Sequence, residues 1–581
     1  MKALSAGSCG LVPFFFAAGL SLYWLQAWAS TRGLIAQALV AWLCIELAFQ
    51  VWQSWRYTII NQRVETRFEA HRVAEVKRRF LQLNGCMCIE EFLRGWFHGV
   101  PYESIRRGNV EDFVAYGFYC RTMDTLPPRL QAATKIFVRQ MEAEWGATFP
   151  EGRNPDISFM AHIWEDLRVL PKPLALHLAS EAANLAGHAA LRCMGFRKDC
   201  CQGFTYWIRQ PNRAPRPAPA DSPPPTPTRS RSRRTTPTVS PMTSPSVSPH
   251  SSEDAEIDPT SLSRSAGLLR QKSIIHRRGD SFSSLRSDEG EDNAEAEPRP
   301  IFFLHGVGLG LVPYLGLIQQ TMWACPDSPM ILLEAPHVGL RLQMRSRSVD
   351  DVAHAAAQIL WRHTYEGACF VAHSYGTFCV SRICQLHRSL VHSVALIDPV
   401  CFLTCYPQLL YNFVYRVPKL ADVLGSFTGI LGAARFLFSR DLIIAETFCR
   451  KFLWHELMLW PEDMPPHALV ILSDADDLVP SPLVAKHISD AHTTATVMYH
   501  PTAGHGGFLV DLPWQRQMVE GIKALALLPE DASRVAFPGS PAGKLLEGAK
   551  TGSMRYNSLG AFSSLASLSS LARYHSLTSR S

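Results

Sequence analysis

The stretch Phe370-Val-Ala-His-Ser-Tyr-Gly-Thr377 constrains the fold more than any other part of this sequence. It reads as an apolar strand that delivers one serine, Ser374, onto a tight turn, with Ala372 two positions before it and Gly376 two after. Those small residues let the strand pass sharply into a helix beginning near Tyr375 without side-chain collision, which a strained backbone at the serine requires. The turn holds Ser374 Oγ out above the edge of a sheet.

Other runs keep company with that turn in a definite order. Upstream, Pro300-Ile-Phe-Phe-Leu-His305-Gly306-Val307-Gly308 is a short apolar strand running into a His-Gly-x-Gly loop. Such a loop turns a backbone N–H toward the space above the serine, so the amides of Val307 and Tyr375 could form an oxyanion hole. Downstream, Ala468–Leu472 is another buried-strand run, followed by Ser473-Asp-Ala-Asp476-Asp-Leu-Val-Pro480. Thr496–His500 then leads into Thr502-Ala-Gly-His505-Gly-Gly-Phe508, so the order is serine, aspartate, histidine. Further strand runs at Pro329–Leu333 and Val391–Ile397 alternate with helical stretches. That alternation implies a mostly parallel sheet covered on both faces, with ligand sites at the carboxyl ends of the strands. Asp398 also ends a strand and could reach the same histidine, which makes it an alternative acid to Asp476. Asp474 and Asp477 read as loop-surface residues.

Residues from about 299 to 528 resemble the α/β-hydrolase superfamily in its lipase and serine-esterase branch. The Ala372-His-Ser-Tyr-Gly376 turn is similar to the Ala-x-Ser-x-Gly elbow of some lipases, and Gly504-His505-Gly-Gly resembles the loop that carries the family's histidine. The resemblance implies an α/β-hydrolase fold in which Ser374 is the nucleophile, His505 the general base and then acid, and Asp476 the residue that orients the imidazole. It implies neither cofactor nor metal. Residues 399–467 stand where the superfamily places a helical lid, and they are rich in aromatics, among them Tyr406, Phe413, Phe448, Phe452 and Trp454. Serine in the elbow argues against epoxide hydrolases and haloalkane dehalogenases, which use aspartate there.

A chain of 581 residues predicts several domains. Ala3 to Thr31 carries no charged side chain, and Gly33 to Trp55 carries only Glu46. Each run is long enough to cross a bilayer, and only a few residues around Arg32 separate them, so residues 1–56 are expected to form a transmembrane hairpin. A cleaved signal peptide ending near Ala29 is the competing reading. Arg56, Arg63, Arg67, Arg72, Lys77, Arg78 and Arg79 follow, which places the rest of the chain on the cytosolic face, at the endoplasmic reticulum or another endomembrane. Residues 57–210 read as a juxtamembrane helical region, with helices over Val110–Arg121 capped by Asn109, over Pro128–Trp145 and over Pro173–Met194. Residues 211–298, dense in Pro, Ser, Thr and Arg, are expected to be a disordered linker open to kinases, and residues 529–581 a disordered Ser-rich tail. The net charge of +6 is slight for this length, so no nucleic-acid partner is expected. The 15 cysteines are odd in number and scattered through apolar runs, which points to a reducing compartment.

The expected activity is a membrane-anchored serine hydrolase that cleaves a carboxylic ester, a lipid or other acyl ester, through an acyl-enzyme on Ser374. A thioesterase or acyltransferase with the same three residues, and a scaffold without catalysis, are the rival expectations.

Overall fold

The computed structural model describes residues 33–62, 70–211, 299–419, 421, 423 and 427–528. The first apolar run, the linker and the tail expected from sequence lie outside these residues. Apolar runs of four to seven residues form most of the strands because both faces of the sheet are covered. Along each strand, alternate side chains enter opposite cores. Phe302 and Leu304 go to one core and Ile301 and Phe303 to the other; Phe370 and Ala372 likewise part from Cys369 and Val371.

The strands are β1 (Arg197–Cys201), β2 (Phe204–Arg209), β3 (Ile301–Leu304), β4 (Met330–Leu333), β5 (Ala368–His373), β6 (Val391–Ile397), β7 (His467–Ser473) and β8 (Thr496–His500). They form one sheet in the order β1-β2-β4-β3-β5-β6-β7-β8. From β4 to β8 every pairing is parallel, whereas β1 with β2 and β2 with β4 are antiparallel. The loops after β3 and β5 leave toward opposite sides of the sheet, and a crevice opens between two such strands at their carboxyl ends.

A sheet that begins at β1 corrects the expected domain boundary at residue 299. The first two strands lie before the segment expected as linker, within the region expected to be helical. They form a hairpin around Gln202 and Gly203, whose φ angles of 51° and 78° suit a two-residue loop matched to strand twist. Arg197, Lys198 and Asp199 on β1 are exposed, and such charges protect a free sheet edge from pairing with another chain.

The region expected as a juxtamembrane helical segment is also built into the same body. Its helices Arg107–Tyr119 and Pro128–Trp145, with Ala70–Leu81, share one continuous core with β2 to β7 and with the insertion between β6 and β7. Pro128–Trp145 begins and ends where its proline and Gly146 predict. The Arg107–Tyr119 helix starts earlier than expected, so Asn109 sits in its first turn rather than before it. From there its Oδ1 accepts the Arg106 N–H at 3.2 Å. Cross-links run between this region and the insertion: Trp96 Nε1 donates to Cys405 O at 2.8 Å and Trp454 Nε1 to Gly117 O at 2.7 Å.

Among the described residues one helix, Leu34–Ile60, is long and apolar enough to cross a membrane, with a mean hydropathy of 1.9 over its best window. Its carboxyl half is fastened to the body. Glu46 accepts the Leu174 N–H at the start of the Leu174–Cys193 helix, and Gln50 and Gln53 donate to Lys172 O. The second expected span is thus a helix; the first, residues 3–31, lies outside the described residues.

Candidate active site

Ser374 directly follows β5 with φ 51° and ψ −121°, a conformation that L side chains rarely adopt. Such strain persists where neighbours fix the backbone, at a cost of about 1–3 kcal/mol. Here the Ser374 N–H donates to Ile397 O at 3.1 Å, and Ser374 O accepts from the N–H and Oγ1 of Thr377 at 2.8 and 2.6 Å. Gly376 makes the turn possible. A Cβ there would stand 2.4 Å from Leu304 O, so the elbow helix Tyr375–Leu386 can approach β3 only with glycine at this position.

The loop after β3 crosses directly over the serine, since a Cβ on Gly306 would lie 3.0 Å from Ser374 Cβ. His305 sets the orientation of this loop. Its Nε2 accepts the Ala335 N–H at 2.9 Å, which leaves Nδ1 as the protonated nitrogen, donating to Gly306 O at 2.8 Å. In a trans peptide C=O and N–H point opposite ways. With the Gly306 carbonyl held by His305, the Val307 N–H is therefore turned to the other side of the same peptide plane. Among the described residues neither Val307 N–H nor Tyr375 N–H donates to a protein acceptor. Two amides flank the serine with their donors unspent.

His505, in the loop after β8, places Nε2 2.8 Å from Ser374 Oγ and Nδ1 2.7 Å from Asp476 Oδ2. The other Asp476 oxygen accepts the N–H groups of Leu478 and Val479 at 2.8 and 2.9 Å. Its own loop thus fixes one oxygen and leaves the second for the imidazole. Burial alone would push His505 down; the charge and hydrogen bond of Asp476, with the charge of Asp398, outweigh it and hold the imidazole above the usual histidine value.

Asp398 does not bond His505. It ends β6 at φ 43°, buried, with Oδ1 accepting Ser473 Oγ–H at 2.7 Å and Oδ2 accepting the Gly506 N–H at 2.8 Å. Burial by itself would raise its carboxyl, but the facing His373 and His505 imidazoles and the Gly506 N–H hold it below the usual carboxylate range. Of the flanking acids expected on the loop surface, Asp474 is exposed and accepts from Tyr499 OH. Asp477 is instead gripped by Arg435 and Arg416 from the insertion.

The structure therefore brings together Ser374, His505, Asp476, Val307 and Tyr375, and sets Asp398 beside them in a different bonding role. Three polar groups of the site went unassigned in the sequence: His305, His373 and Tyr314. The signal for His305 was present in its place before Gly306. Nothing local pointed to Tyr314, which meets His373 only because the Val312–Tyr314 turn and the elbow pack across β3 and β5. The insertion lies against the same site: Gln408 and Asn412 donate to the carbonyls of Asp476 and Asp477, and the Phe448 ring packs 5.9 Å from Tyr375. Elbow, loop after β3, and the order serine, aspartate, histidine along the chain make this an α/β-hydrolase-like fold.

No family model and no curated protein matches the chain. Among solved structures it is similar to a meta-cleavage product hydrolase from Pseudomonas fluorescens IP01, at 19% identity over 39% of this chain and 90% of that one, with a TM-score of 0.30. It is also similar to MenH from S. aureus, at 14% identity over 40% of this chain and 96% of that one, TM-score 0.31. A third similarity is to a monoacylglycerol lipase from Paleococcus ferrophilus, at 15% identity over 39% and 94%, TM-score 0.29.

Proposed function

We propose that this chain is a serine hydrolase that cleaves carboxylic esters, with lipid acyl esters as the substrate class, and that the Leu34–Ile60 helix anchors it to a membrane. The observation that carries the reading is the hydrogen-bonded chain Ser374 Oγ, His505, Asp476, standing beside two amide N–H groups without a protein acceptor.

In this reading His505 Nε2 takes the Ser374 hydroxyl proton as Oγ attacks the ester carbonyl. The carbonyl oxygen, now an anion, is held by the amides of Val307 and Tyr375, interactions that strengthen as charge develops. The tetrahedral adduct collapses, His505 returns its proton to the departing alcohol, and an acyl-enzyme remains on Ser374. Water, deprotonated by the same imidazole, then releases the acid. Asp476 keeps His505 in the tautomer that presents Nε2 to the serine and offsets the charge of the imidazolium. Support for a lipid acyl group comes from the aromatic insertion against the site and from the apolar helix fastened to the body, which would keep the site close to lipid. In this reading the insertion acts as a lid.

A fluorophosphonate probe tests the proposal, because phosphonylation uses the same attack and the same oxyanion site. Labelling of the full chain in detergent or lipid should vanish in Ser374→Ala and in His505→Ala. A folded wild-type chain that takes up no probe would sink the hydrolase reading and leave the scaffold.

A further inference from the structure

Behind the reacting residues lies a second polar chain, buried throughout, that the proposed reaction does not use. It contains Asp398, His373 and Tyr314. His373 immediately precedes the serine; its Nδ1 lies 2.7 Å from Tyr314 OH, and its Nε2 stands 3.8 Å from Asp398 Oδ2 with no hydrogen-bond partner. Tyr314 OH also receives the Gly306 N–H at 3.0 Å.

The proton positions follow from the one donor that cannot be reversed. Gly306 N–H donates to the phenol oxygen, so the hydroxyl proton of a buried tyrosine needs another acceptor, and His373 Nδ1 is the one within reach. His373 must then carry its own proton on Nε2, the nitrogen that faces Asp398. Burial pushes His373 below the usual histidine value, in keeping with a neutral ring. The chain reads in one direction: Gly306 N–H to Tyr314, Tyr314 O–H to His373, His373 N–H toward Asp398.

Its two ends grip the two loops that have to meet over the serine. At one end Tyr314 holds Gly306, the residue before the Val307 amide. At the other Asp398 holds the Gly506 N–H, the residue after His505. The His373 ring also lies 5.3 Å from that of His505 and 5.0 Å from Phe508. Asp398 is strained at φ 43° and yet satisfied by the ends of β7 and of the His505 loop, as expected of a residue that its surroundings hold in place.

We propose that Asp398, His373 and Tyr314 are positioning residues that lock the oxyanion loop and the His505 loop in register with Ser374. The proposal rests on the hydrolase reading. Asp398 has the further effect of placing a second carboxylate beside the imidazole of His505, which is also faced by Asp476, Arg435 and His373.

The test uses the full chain in detergent, with turnover of a short-chain nitrophenyl ester and the rate of fluorophosphonate labelling as readouts. Tyr314→Phe keeps the ring and removes the hydroxyl. It should lower kcat and the labelling rate about 10- to 100-fold at similar KM, because the Val307 amide loses its alignment. It changes no charge, so the acid limb of the pH profile should stay where it is. Asp398→Asn should lower kcat and also move that limb to lower pH, since the imidazolium loses a facing carboxylate. Combined, the two changes should cost little more than the worse one alone, because both break one chain.

His373→Phe and His373→Asn give a second route should Tyr314→Phe not fold. The asparagine amide oxygen can take the place of Nδ1 as acceptor, so His373→Asn should recover most of the activity that His373→Phe loses. Wild-type rates in Tyr314→Phe, multiplicative losses in the double variant, or equal losses in the two His373 variants would each overturn the proposal. Absence of labelling in the wild type would instead strike the hydrolase reading on which it stands.

Discussion

Gly376 is the residue at which one methyl group would displace the site's own backbone. Its would-be Cβ meets the carbonyl oxygen and carbon of Leu304 at 2.4 and 2.8 Å, and strand backbone cannot swing aside as a side chain can. Gly376→Ala should lose about 3 kcal/mol of stability, seen as a lower melting temperature, together with most turnover. The two buried acids separate just as sharply by their partners. Asp476 holds the His505 tautomer, and the loss of such a carboxylate costs about 10⁴ in rate in the Ser-His-Asp example of chymotrypsin-type proteases. Asp476→Asn should therefore be crippled, whereas Asp398→Asn should lose tens-fold; the reverse ranking would move the orienting acid to the end of β6. The raised value of His505 also fixes a sign. Its neutral form is the base, so kcat/KM should rise with pH through a midpoint above about 6.5, and a midpoint below that value would contradict the facing carboxylates.

Among the elements, the β1–β2 hairpin joins the part of the chain before residue 212 to the part after residue 298. β2 pairs with β4 from Tyr206↔Leu333 to Arg209↔Met330, and Trp207 Nε1 donates to the buried Glu334 at 2.7 Å. The pairing, once formed, should hold without a covalent connection between the two parts. A protease site placed near residue 250 and cut after folding should leave both fragments eluting as one species, with turnover within a few-fold of the uncut chain. Separation of the fragments without denaturant would show that the hairpin is not held as the sheet implies. Deleting residues 197–209, in contrast, should abolish soluble folding, since it bares the Met330–Leu333 edge.

At the scale of the whole described molecule, Arg450 is the residue where the apolar helix, the region before the hairpin and the insertion converge. Its guanidinium donates to Ile60 O, His162 O and Glu165 O and to Asn61 Oδ1. Residues 299–528 alone should consequently be insoluble, because side chains from residues 60–170 share one continuous core with the insertion between β6 and β7. Removing only residues 1–56 keeps Ile60 and Asn61 but takes away Glu46, Gln50 and Gln53. That chain should leave membranes on a carbonate wash and melt below the full-length protein, each lost hydrogen bond counting for about 1 kcal/mol. Carbonate-resistant membrane association of the truncated chain would show that the Leu34–Ile60 helix is not the anchor.

What could be read from residue order alone was whatever a few neighbouring residues settle between them. Strands β3 to β7 announced themselves because side chains buried on both faces leave apolar runs. The elbow did so because small residues must flank a strained serine, and the Pro128–Trp145 helix because proline and glycine punctuate its ends. β1 and β2 were missed although Gln202-Gly203 is followed by the aromatic and β-branched Phe204-Thr-Tyr-Trp-Ile208, since the charged Arg197–Cys201 strand it pairs with lacks the apolar run. The choice between Asp398 and Asp476 needed the fold. Both lie in loops that follow strands, and only the spatial meeting of the His505 loop with the loop after β7 brings one of them to Nδ1 while Gly506 and Ser473 occupy the other. The same holds for where the helices before the hairpin pack and for the roles of Tyr314 and His373. Their partners lie tens or hundreds of residues away, and contacts at such separations follow from strand order and packing, which no local pattern encodes.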